Sequence, residues 1–262
     1  MASVTIEKSK HITYDDIGEG IPVIFIHPPG MGRHVFYYQR NLSRDMRVIF
    51  PDLSGHGDSS KITSEEVTIE YYSKEIIALI NELKLKKVVL CGYSAGGAIA
   101  QYISSHFQDR VGGLILFGGY PAVLNSSLRL EHKLGMYMVN HHKNLLTHIL
   151  AMSHTKNDKL KKLLITHMNK SQQGVWYRYY EEVLHMNIIE DICKINVPLL
   201  WMDGTRSDAI NRYNTYFKKR TSDYRIVLFK HVNHQVPTKK WKQVNEEIVQ
   251  YILNLDTMKE NL

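Results

Sequence analysis

Six short apolar runs, most of them separated by amphipathic stretches, constrain the fold of this chain more than any other feature of its sequence. The runs are PVIFIH (22–27), RVIFPD (47–52), KVVLC (87–91), VGGLILF (111–117), PLLWM (198–202) and YRIVLF (224–229). Between the second and third runs, residues 69–83 place Tyr72, Ile76 and Ile80 on one face of a predicted helix. Because strands that alternate with helices pair in parallel, we predict an α/β fold with a mostly parallel central sheet.

Two alternating segments precede these runs. Residues 4–7 and 11–15 predict an antiparallel pair of strands that closes in a turn at 18–20, where two glycines flank Glu19.

The alternation of strands and helices is interrupted once, by a segment with helix-like patterning and no strand-like run. This segment is too long for a connecting loop, so we predict a helical cap at 120–195, inserted into a core formed by 1–119 and 196–262. Its Met, Tyr and Trp content indicates that it covers an apolar pocket. Half of the fourteen histidines lie in it, and we expect them on the surface: His132, His141, His142, His148, His154, His167 and His185.

Composition narrows the classes of function. The hydrophobic share is 44% and the charged share 23%, which is typical of globular proteins. The net charge is +7, but the lysines are spread along the chain, which argues against a nucleic-acid partner and leaves open weak attraction to anionic substrates or membrane surfaces. A charged amino terminus and the lack of a membrane-length apolar stretch predict a cytoplasmic protein without stable membrane insertion. The sequence does not indicate an oligomeric state.

Cofactor and metal motifs are not found in the sequence. It has no phosphate-binding loop and no cluster of carboxylates, so we expect neither a cofactor nor a metal ion. The two cysteines, Cys91 and Cys193, lack metal-ligand spacing, and we expect both to be reduced residues of the core.

The stretch from 86 to 103, KKVVLCGYSAGGAIAQYI, places Ser94 on a very tight corner between a buried strand and a helix. Glycines at 92, 96 and 97 leave room for such a corner, and a serine there projects its hydroxyl clear of the sheet. The following helix offers unpaired N–H groups to a developing negative charge. This context indicates a catalytic nucleophile.

A serine nucleophile needs a histidine base, and the histidine needs a carboxylate to orient it. His234 follows the last strand-like run and is the preferred base, with His231 as the alternative. After PLLWM come two possible acids, Asp203 and Asp208. We favour Asp208, because it lies past the turn at Gly204, from where its side chain can reach back toward the histidine.

Three motifs together resemble the α/β-hydrolase family. The serine corner spans 92–97, the family's His-Gly loop is matched in position by His-Pro-Pro-Gly at 27–30, and its Asp-x-x-Gly-x-Gly turn is matched at 52–59. The resemblance implies the α/β-hydrolase fold, with Ser94 as nucleophile, Asp208 as acid and His234 as base. It also implies structural roles for three further residues: His27, Asp52 and His56.

Family members that open epoxides or cleave carbon–halogen bonds carry an aspartate where this chain has Ser94. The resemblance therefore implies acyl chemistry, in which the serine attacks a carbonyl. We predict a serine hydrolase, similar to carboxylesterases, that cleaves a small apolar ester or thioester. Carbon–carbon bond hydrolysis on the same triad is the alternative reaction, and a non-catalytic ligand sensor or scaffold is the alternative class.

One departure from the family concerns the oxyanion hole, which needs two N–H donors. Ala95 supplies the first. The second donor commonly lies two residues after the histidine of the His-Gly loop, and that position is Pro29, which has no N–H. We therefore predict that Gly30 or Met31 supplies it.

Overall fold

The computed structural model describes residues 2–7, 10–220 and 223–259. The strands are β1 (Ala2–Glu7), β2 (Lys10–Ile17), β3 (Pro22–Ile26), β4 (Arg47–Pro51), β5 (Val88–Tyr93), β6 (Val111–Phe117), β7 (Leu199–Gly204) and β8 (Tyr224–Phe229). The α-helices are α1 (Ile69–Glu82), α2 (Gly96–His106), α3 (Ser126–His154), α4 (Asp158–Lys170), α5 (Gln173–His185), α6 (Asp208–Asn211), α7 (Asn214–Arg220), α8 (Val236–Lys239) and α9 (Trp241–Lys259). 3₁₀ segments cover Arg33–Arg44, with a kink at Phe36, and Ser64–Glu66, Gln108–Arg110 and Asp191–Lys194.

The strands form one eight-stranded sheet in the order β1-β2-β4-β3-β5-β6-β7-β8. β1 pairs with β2, and β2 with β4, in antiparallel fashion, whereas every later pair is parallel. All six predicted strand runs are strands of this sheet, and the predicted antiparallel pair is present. The glycine turn at 18–20 lies between β2 and β3 rather than within the pair. The predicted mostly parallel α/β sheet is therefore confirmed.

Parallel strands are buried on both faces, and their side chains alternate between two cores. In β5, Leu90 packs into the core that contains α1 and α2. Its neighbours Val89 and Cys91 pack into the opposite core, where α9 contributes Val244 and Ile248. This alternation explains why β5 is a continuous apolar run in the sequence. Ser94 comes directly after the last residue of β5 and therefore lies at the carboxyl end of the sheet.

Three helices, α3 to α5, lie between β6 and β7, where the sequence predicts the cap. Among the described residues of this segment, β pairing is limited to one isolated antiparallel bridge between Ala122 and Asn187. α3 is long and is bent at His142, whose φ of −142° and ψ of 40° depart from helical values. The bounds of the cap insertion, 120–195, stay a prediction.

The expectation of surface histidines in this segment is wrong for three of the seven, because His132, His154 and His167 are buried and hydrogen bonded. Cys91 lies in the core as expected, but Cys193 is exposed. In the described part of the chain, no helix combines the length and the apolar character needed to cross a bilayer.

Candidate active site

Ser94 lies on a strained corner between β5 and α2. Its φ is +52°, a left-handed value that non-glycine residues rarely adopt. Two hydrogen bonds stabilise this conformation, because the Ser94 N–H donates to the Phe117 carbonyl at 2.8 Å and the Ser94 carbonyl accepts from the Gly97 N–H at 2.9 Å. The corner is thereby joined both to β6 and to the first turn of α2. The predicted tight strand-to-helix turn is present.

The glycines on either side of the serine are required by close backbone contacts. A Cβ atom at Gly92 would lie 2.8 Å from the Gly96 carbonyl oxygen, and one at Gly96 would lie 2.8 Å from the carbonyl oxygen of His27. Both distances are too short for carbon and oxygen atoms that are not bonded. Gly92 is therefore required by its contact with the start of α2, and Gly96 by packing against the end of β3 and the loop after it.

His234 lies in the loop after β8, and its Nδ1 is 3.3 Å from Asp203 Oδ1. Because a carboxylate oxygen only accepts, Nδ1 carries the proton, which leaves Nε2 as the basic nitrogen. Nε2 is buried and has no hydrogen-bond partner in the described part of the chain. Ser94 and His234 line the same cavity but are not hydrogen bonded to each other.

Asp203 is the penultimate residue of β7 and is fully buried. Its Oδ1 also accepts from the Gly204 N–H at 2.8 Å and from Ser207 Oγ at 3.1 Å, which fixes the carboxylate. β7 and β8 are neighbours in the sheet, so a side chain at the end of β7 already lies beside the loop that follows β8. The Asp203 side chain therefore reaches His234 from the end of the strand, without having to cross the turn at Gly204.

The geometry therefore favours Asp203 over Asp208, the reverse of the sequence-based preference. Asp208 begins α6, and its side chain lies outside the described part of the chain. His231, the alternative base, is exposed, and its backbone N–H donates to Thr205 Oγ1 at 3.2 Å. The arrangement brings together Ser94, His234 and Asp203.

Gly118 leaves the space in which His234 and Asp203 meet. Its φ is +56°, and a Cβ atom there would lie 2.5 Å from His234 Nδ1 and 2.9 Å from Asp203 Oδ2. Sequence reasoning missed this residue, because nothing near 118 in the sequence indicates that two distant loops close over it. The glycine is required both by the left-handed backbone and by the imidazole that packs on it.

Burial lowers the pKa of His234. The charge of Asp203, the hydrogen bond to Asp203 and the charge of Glu131 all raise this pKa, and together they outweigh the effect of burial. The net result is a pKa above the ordinary value for histidine. A neighbouring carboxylate thus favours the protonated form that a general base reaches when it removes a proton.

The loop after β3 forms a tight turn, in which the Met31 N–H donates to the Pro28 carbonyl at 3.3 Å. Pro29 takes the second position of this turn and Gly30, with φ of +77°, the third, which is the type II arrangement. Among the described residues, the N–H groups of Ala95 and Gly30 donate to no acceptor, whereas that of Met31 is used within the turn. Of the two predicted loop donors, only Gly30 keeps an unused N–H.

A cavity of about 90 Å³ lies over the serine corner. It is small compared with the ~300–1,000 Å³ typical of pockets for drug-sized ligands. Its lining is mostly apolar and aromatic and contains one carboxylate, from Glu131, but no lysine or arginine. The residues that line it are Pro28, Pro29, Met31, Tyr93, Ser94, Ala95, Tyr120, Leu128, Glu131, His132, Leu150, His154, Tyr180, His234 and Gln235.

Two tyrosine–histidine pairs form part of the cavity wall, and sequence reasoning missed both histidines. His154 Nδ1 lies 2.7 Å from the Leu150 carbonyl, so this nitrogen carries a proton and Nε2 accepts from the Tyr93 hydroxyl at 3.1 Å. Burial lowers the pKa of His154 to about 4, so the imidazole is neutral near pH 7. These bonds join the end of α3 directly to the residue before Ser94.

The second pair has the same pattern. His132 Nδ1 lies 2.9 Å from the Leu128 carbonyl, and Nε2 accepts from the Tyr120 hydroxyl at 2.8 Å. Burial lowers the pKa of His132. In both pairs, the histidine hydrogen bonds to the carbonyl four residues before it on α3. The helix therefore holds two neutral imidazoles against the cavity.

His27 and His56 are buried beside the cavity loop but do not line it. His27 Nε2 accepts from the Leu53 N–H at 3.0 Å, which joins the loops after β3 and β4. Burial lowers the pKa of His27 to about 4 and that of His56 to about 3. Both side chains are neutral at physiological pH, and their positions fit the structural roles that the resemblance implies.

Asp52, Asp58 and His167 are the described residues whose ligand atoms lie close enough together to hold a metal ion. Arg33 already neutralises this cluster, because its guanidinium pairs with Asp52 and, at 2.8 Å, with Asp58. His167 Nε2 lies 3.0 Å from Asp52 Oδ1 and thereby ties α4 to the core. The contacts of the cluster are those of a buried ion-pair network.

Comparisons with known proteins agree with the fold described above. Residues 21–150 match the family model of the alpha/beta hydrolase fold. The AB hydrolase superfamily protein YisY of Bacillus subtilis is 36% identical over 116 residues, 42% of this chain and 43% of that protein. The 2-hydroxy-6-oxo-2,4-heptadienoate hydrolase of Pseudomonas putida is 33% identical over 107 residues, 39% of each chain. The match thus spans about two fifths of the length of these curated relatives.

Among solved structures, an esterase from Exiguobacterium antarcticum superposes with a TM-score of 0.83 at 21% identity, over 93% of this chain and 96% of that one. Other matches are named as haloperoxidases or bromoperoxidases. Proteins with this fold therefore have several different named activities. The residues of the site, rather than the fold, distinguish between these activities.

Proposed function

Because this chain belongs to the α/β-hydrolase family, we propose that it is a serine hydrolase that cleaves a small apolar carboxylic ester or thioester. The observation that carries this proposal is the unpartnered, buried Nε2 of His234. It lies in the cavity of Ser94, and Asp203 holds the other ring nitrogen. A basic nitrogen held in this tautomer beside a serine is the arrangement that activates the hydroxyl.

In the proposed reaction, His234 Nε2 removes the proton of Ser94 Oγ as the oxygen attacks the carbonyl carbon. Asp203 stabilises the imidazolium that forms, and the N–H groups of Ala95 and Gly30 bind the oxyanion. The imidazolium then protonates the leaving alcohol, which leaves an acyl group on Ser94. Water, deprotonated by His234, attacks this acyl group and releases the acid.

The size and lining of the cavity support a short, uncharged acyl group. A volume of about 90 Å³ accommodates few heavy atoms, and the cavity walls include Met31, Leu128 and Leu150. A dienoate, the substrate named for the Pseudomonas putida relative, carries a carboxylate. The lining residues offer Glu131 but no cation to such a group, so the ester is favoured over carbon–carbon bond hydrolysis of an anionic substrate.

The proposal is tested by labelling the protein with a fluorophosphonate, mapping the modified residue, and measuring hydrolysis of p-nitrophenyl esters of increasing acyl length. We expect the label on Ser94, loss of both label and turnover in Ser94→Ala, and rates that fall as the acyl chain grows. Ser127→Ala, at an exposed serine on α3, is the matched control and should keep both. A label on another serine, or binding of the esters without turnover, would contradict the proposal, the latter in favour of a ligand sensor.

A further inference from the structure

The outward side of α3 exposes a concentration of apolar side chains. Six of the ten large apolar side chains that are exposed among the described residues lie on this helix, with exposed fractions of 48–67%. We call them the outer apolar face: Leu130, Leu134, Tyr137, Leu145, Ile149 and Met152. Apolar side chains scattered singly need no explanation, but a concentration on one element marks an interaction site.

Helical spacing places these residues in two short stripes. Leu130, Leu134 and Tyr137 recur at intervals of four and three residues, and so do Leu145, Ile149 and Met152, on either side of the bend at His142. The opposite side of the same helix faces the cavity through Leu128 and His132 before the bend and Leu150 and His154 after it. The outer apolar face thus lies on the side of α3 that faces away from the cavity.

The segment that carries the outer apolar face and the helix that follows it are strongly positive. Residues 126–170 contain eight Lys or Arg and two Asp or Glu, a net charge of +6 out of +7 for the whole chain. Lys133 lies on the helix surface beside Leu130 and Tyr137, three and four residues away. Within the described residues, Lys133, Lys156, Lys159 and Lys162 form no ion pair with a carboxylate. The positive charge is therefore largely unneutralised.

We propose that the outer apolar face docks this protein onto the surface of an anionic lipid bilayer. Apolar side chains beside lysines are the combination that partitions into a headgroup region, with the apolar groups in the acyl boundary and the cations on lipid phosphates or carboxylates. Two copies of this face would bring like charges together, which disfavours self-association. Docking holds α3 against the membrane, with the cavity on the opposite side of the helix.

The test is co-sedimentation of the full chain with vesicles of phosphatidylcholine alone or of phosphatidylcholine mixed with phosphatidylserine. We expect binding to the mixed vesicles that weakens as salt is added, and much weaker binding to phosphatidylcholine alone. Leu130→Ser with Leu134→Ser should abolish most of the binding. Lys133→Glu with Lys156→Glu should weaken it roughly tenfold or more, since one basic side chain contributes about fivefold near an anionic surface.

Matched controls come from outside α3. Lys86 and Lys87 are exposed and precede β5, whereas Ser94 follows it, so Lys86→Glu with Lys87→Glu removes equal charge away from the cavity. Leu228→Ser removes an exposed leucine from β8. Both should bind as the unmodified protein does, and so should Ser94→Ala, which separates docking from the proposed catalysis.

Two results would overturn the proposal. One is binding that is equal on both vesicle types or unaffected by the substitutions on α3. The other is light scattering that shows a dimer of the unmodified protein in the absence of lipid and a monomer of Leu130→Ser with Leu134→Ser. That result would make the outer apolar face an interface between copies of this chain.

Discussion

The carboxylate of Asp203 and the imidazole of His234 meet at 3.3 Å although 31 residues separate them in the chain. Adjacent strands bring them together, since β7 ends in Asp203-Gly204 and β8 leads into the loop of His234. Three donors, among them the Ser207 hydroxyl, converge on one oxygen of Asp203, which fixes the carboxylate before any substrate binds. A histidine held in this way has one tautomer and one orientation.

The first prediction concerns the acid of the triad. Asp203→Asn should lower kcat for an activated ester by about 10⁴, because the amide supports the wrong imidazole tautomer. Asp208→Asn, the matched control on the next acid in the chain, should change kcat only severalfold. Steady-state kinetics of both variants, with circular dichroism to verify folding, measure this difference. The reverse ranking would return the acid to Asp208.

Most of the fold could be predicted from the sequence because its determinants are local. The run 22–27 is apolar because a parallel strand is buried on both faces, and it forms β3. The run 224–229 also forms a strand, although β8 lies at the edge of the sheet and is only partly buried. The corner at Ser94 could be located because its glycines are adjacent in the chain. Short-range patterns of this kind are visible without knowledge of the three-dimensional structure.

The site was less predictable because its contacts join distant segments. The choice between Asp203 and Asp208 depends on how close the end of β7 lies to the loop of His234, and the pairing of β7 with β8 that sets this distance is not written in either segment. The buried positions of His154 and His167 depend on partners 61 and 115 residues away, Tyr93 and Asp52. A histidine on an amphipathic helix looks the same in sequence whether it faces solvent or such a partner.

The second prediction concerns the ion-pair network that ties α4 to the core. Arg33 is fully buried and pairs with Asp52, whose side chain is also fully buried. Arg33→Met should lower the free energy of unfolding by ~3–5 kcal/mol, because it leaves a buried carboxylate without its guanidinium. Urea denaturation measures this loss.

Arg40→Met is the matched control for the network. Arg40 pairs with Asp15, as Arg33 also does, but its side chain is 37% exposed, so the loss should be only ~0–1 kcal/mol. Equal losses in the two variants would mean that burial of Arg33 adds nothing to the stability of the network.

The third prediction concerns the pH dependence of turnover. His234 acts as a base only when neutral, so kcat/KM should fall as the pH drops through its pKa. Glu131 lies on α3 at the cavity and raises that pKa, so Glu131→Gln should lower the pKa and shift the acidic limb of the profile to lower pH. Asp158→Asn, at the start of α4, is the matched control and should leave the limb in place. An unchanged limb in Glu131→Gln would show that its charge does not reach His234.

The last prediction concerns the second donor of the oxyanion hole. Pro29 has no N–H, and the Met31 N–H is bound to the Pro28 carbonyl, so we predict that Gly30 is the donor from this loop. Replacing the amide of a single residue by an ester removes one N–H and little else. The exchange at Gly30 should lower kcat by about 10²–10³, the usual cost of one oxyanion donor.

The same exchange at Met31 is the matched control. It removes a hydrogen bond of 3.3 Å within the turn, so it should cost roughly 0.5–1.5 kcal/mol of stability while kcat stays within severalfold. Gly30 itself cannot be tested by an ordinary side chain, because a Cβ atom there would overlap the indole of Trp176. A larger loss of kcat at Met31 than at Gly30 would assign the donor to Met31 and require the turn to open when substrate binds. If neither exchange lowers kcat, Ala95 stabilises the oxyanion without help from this loop.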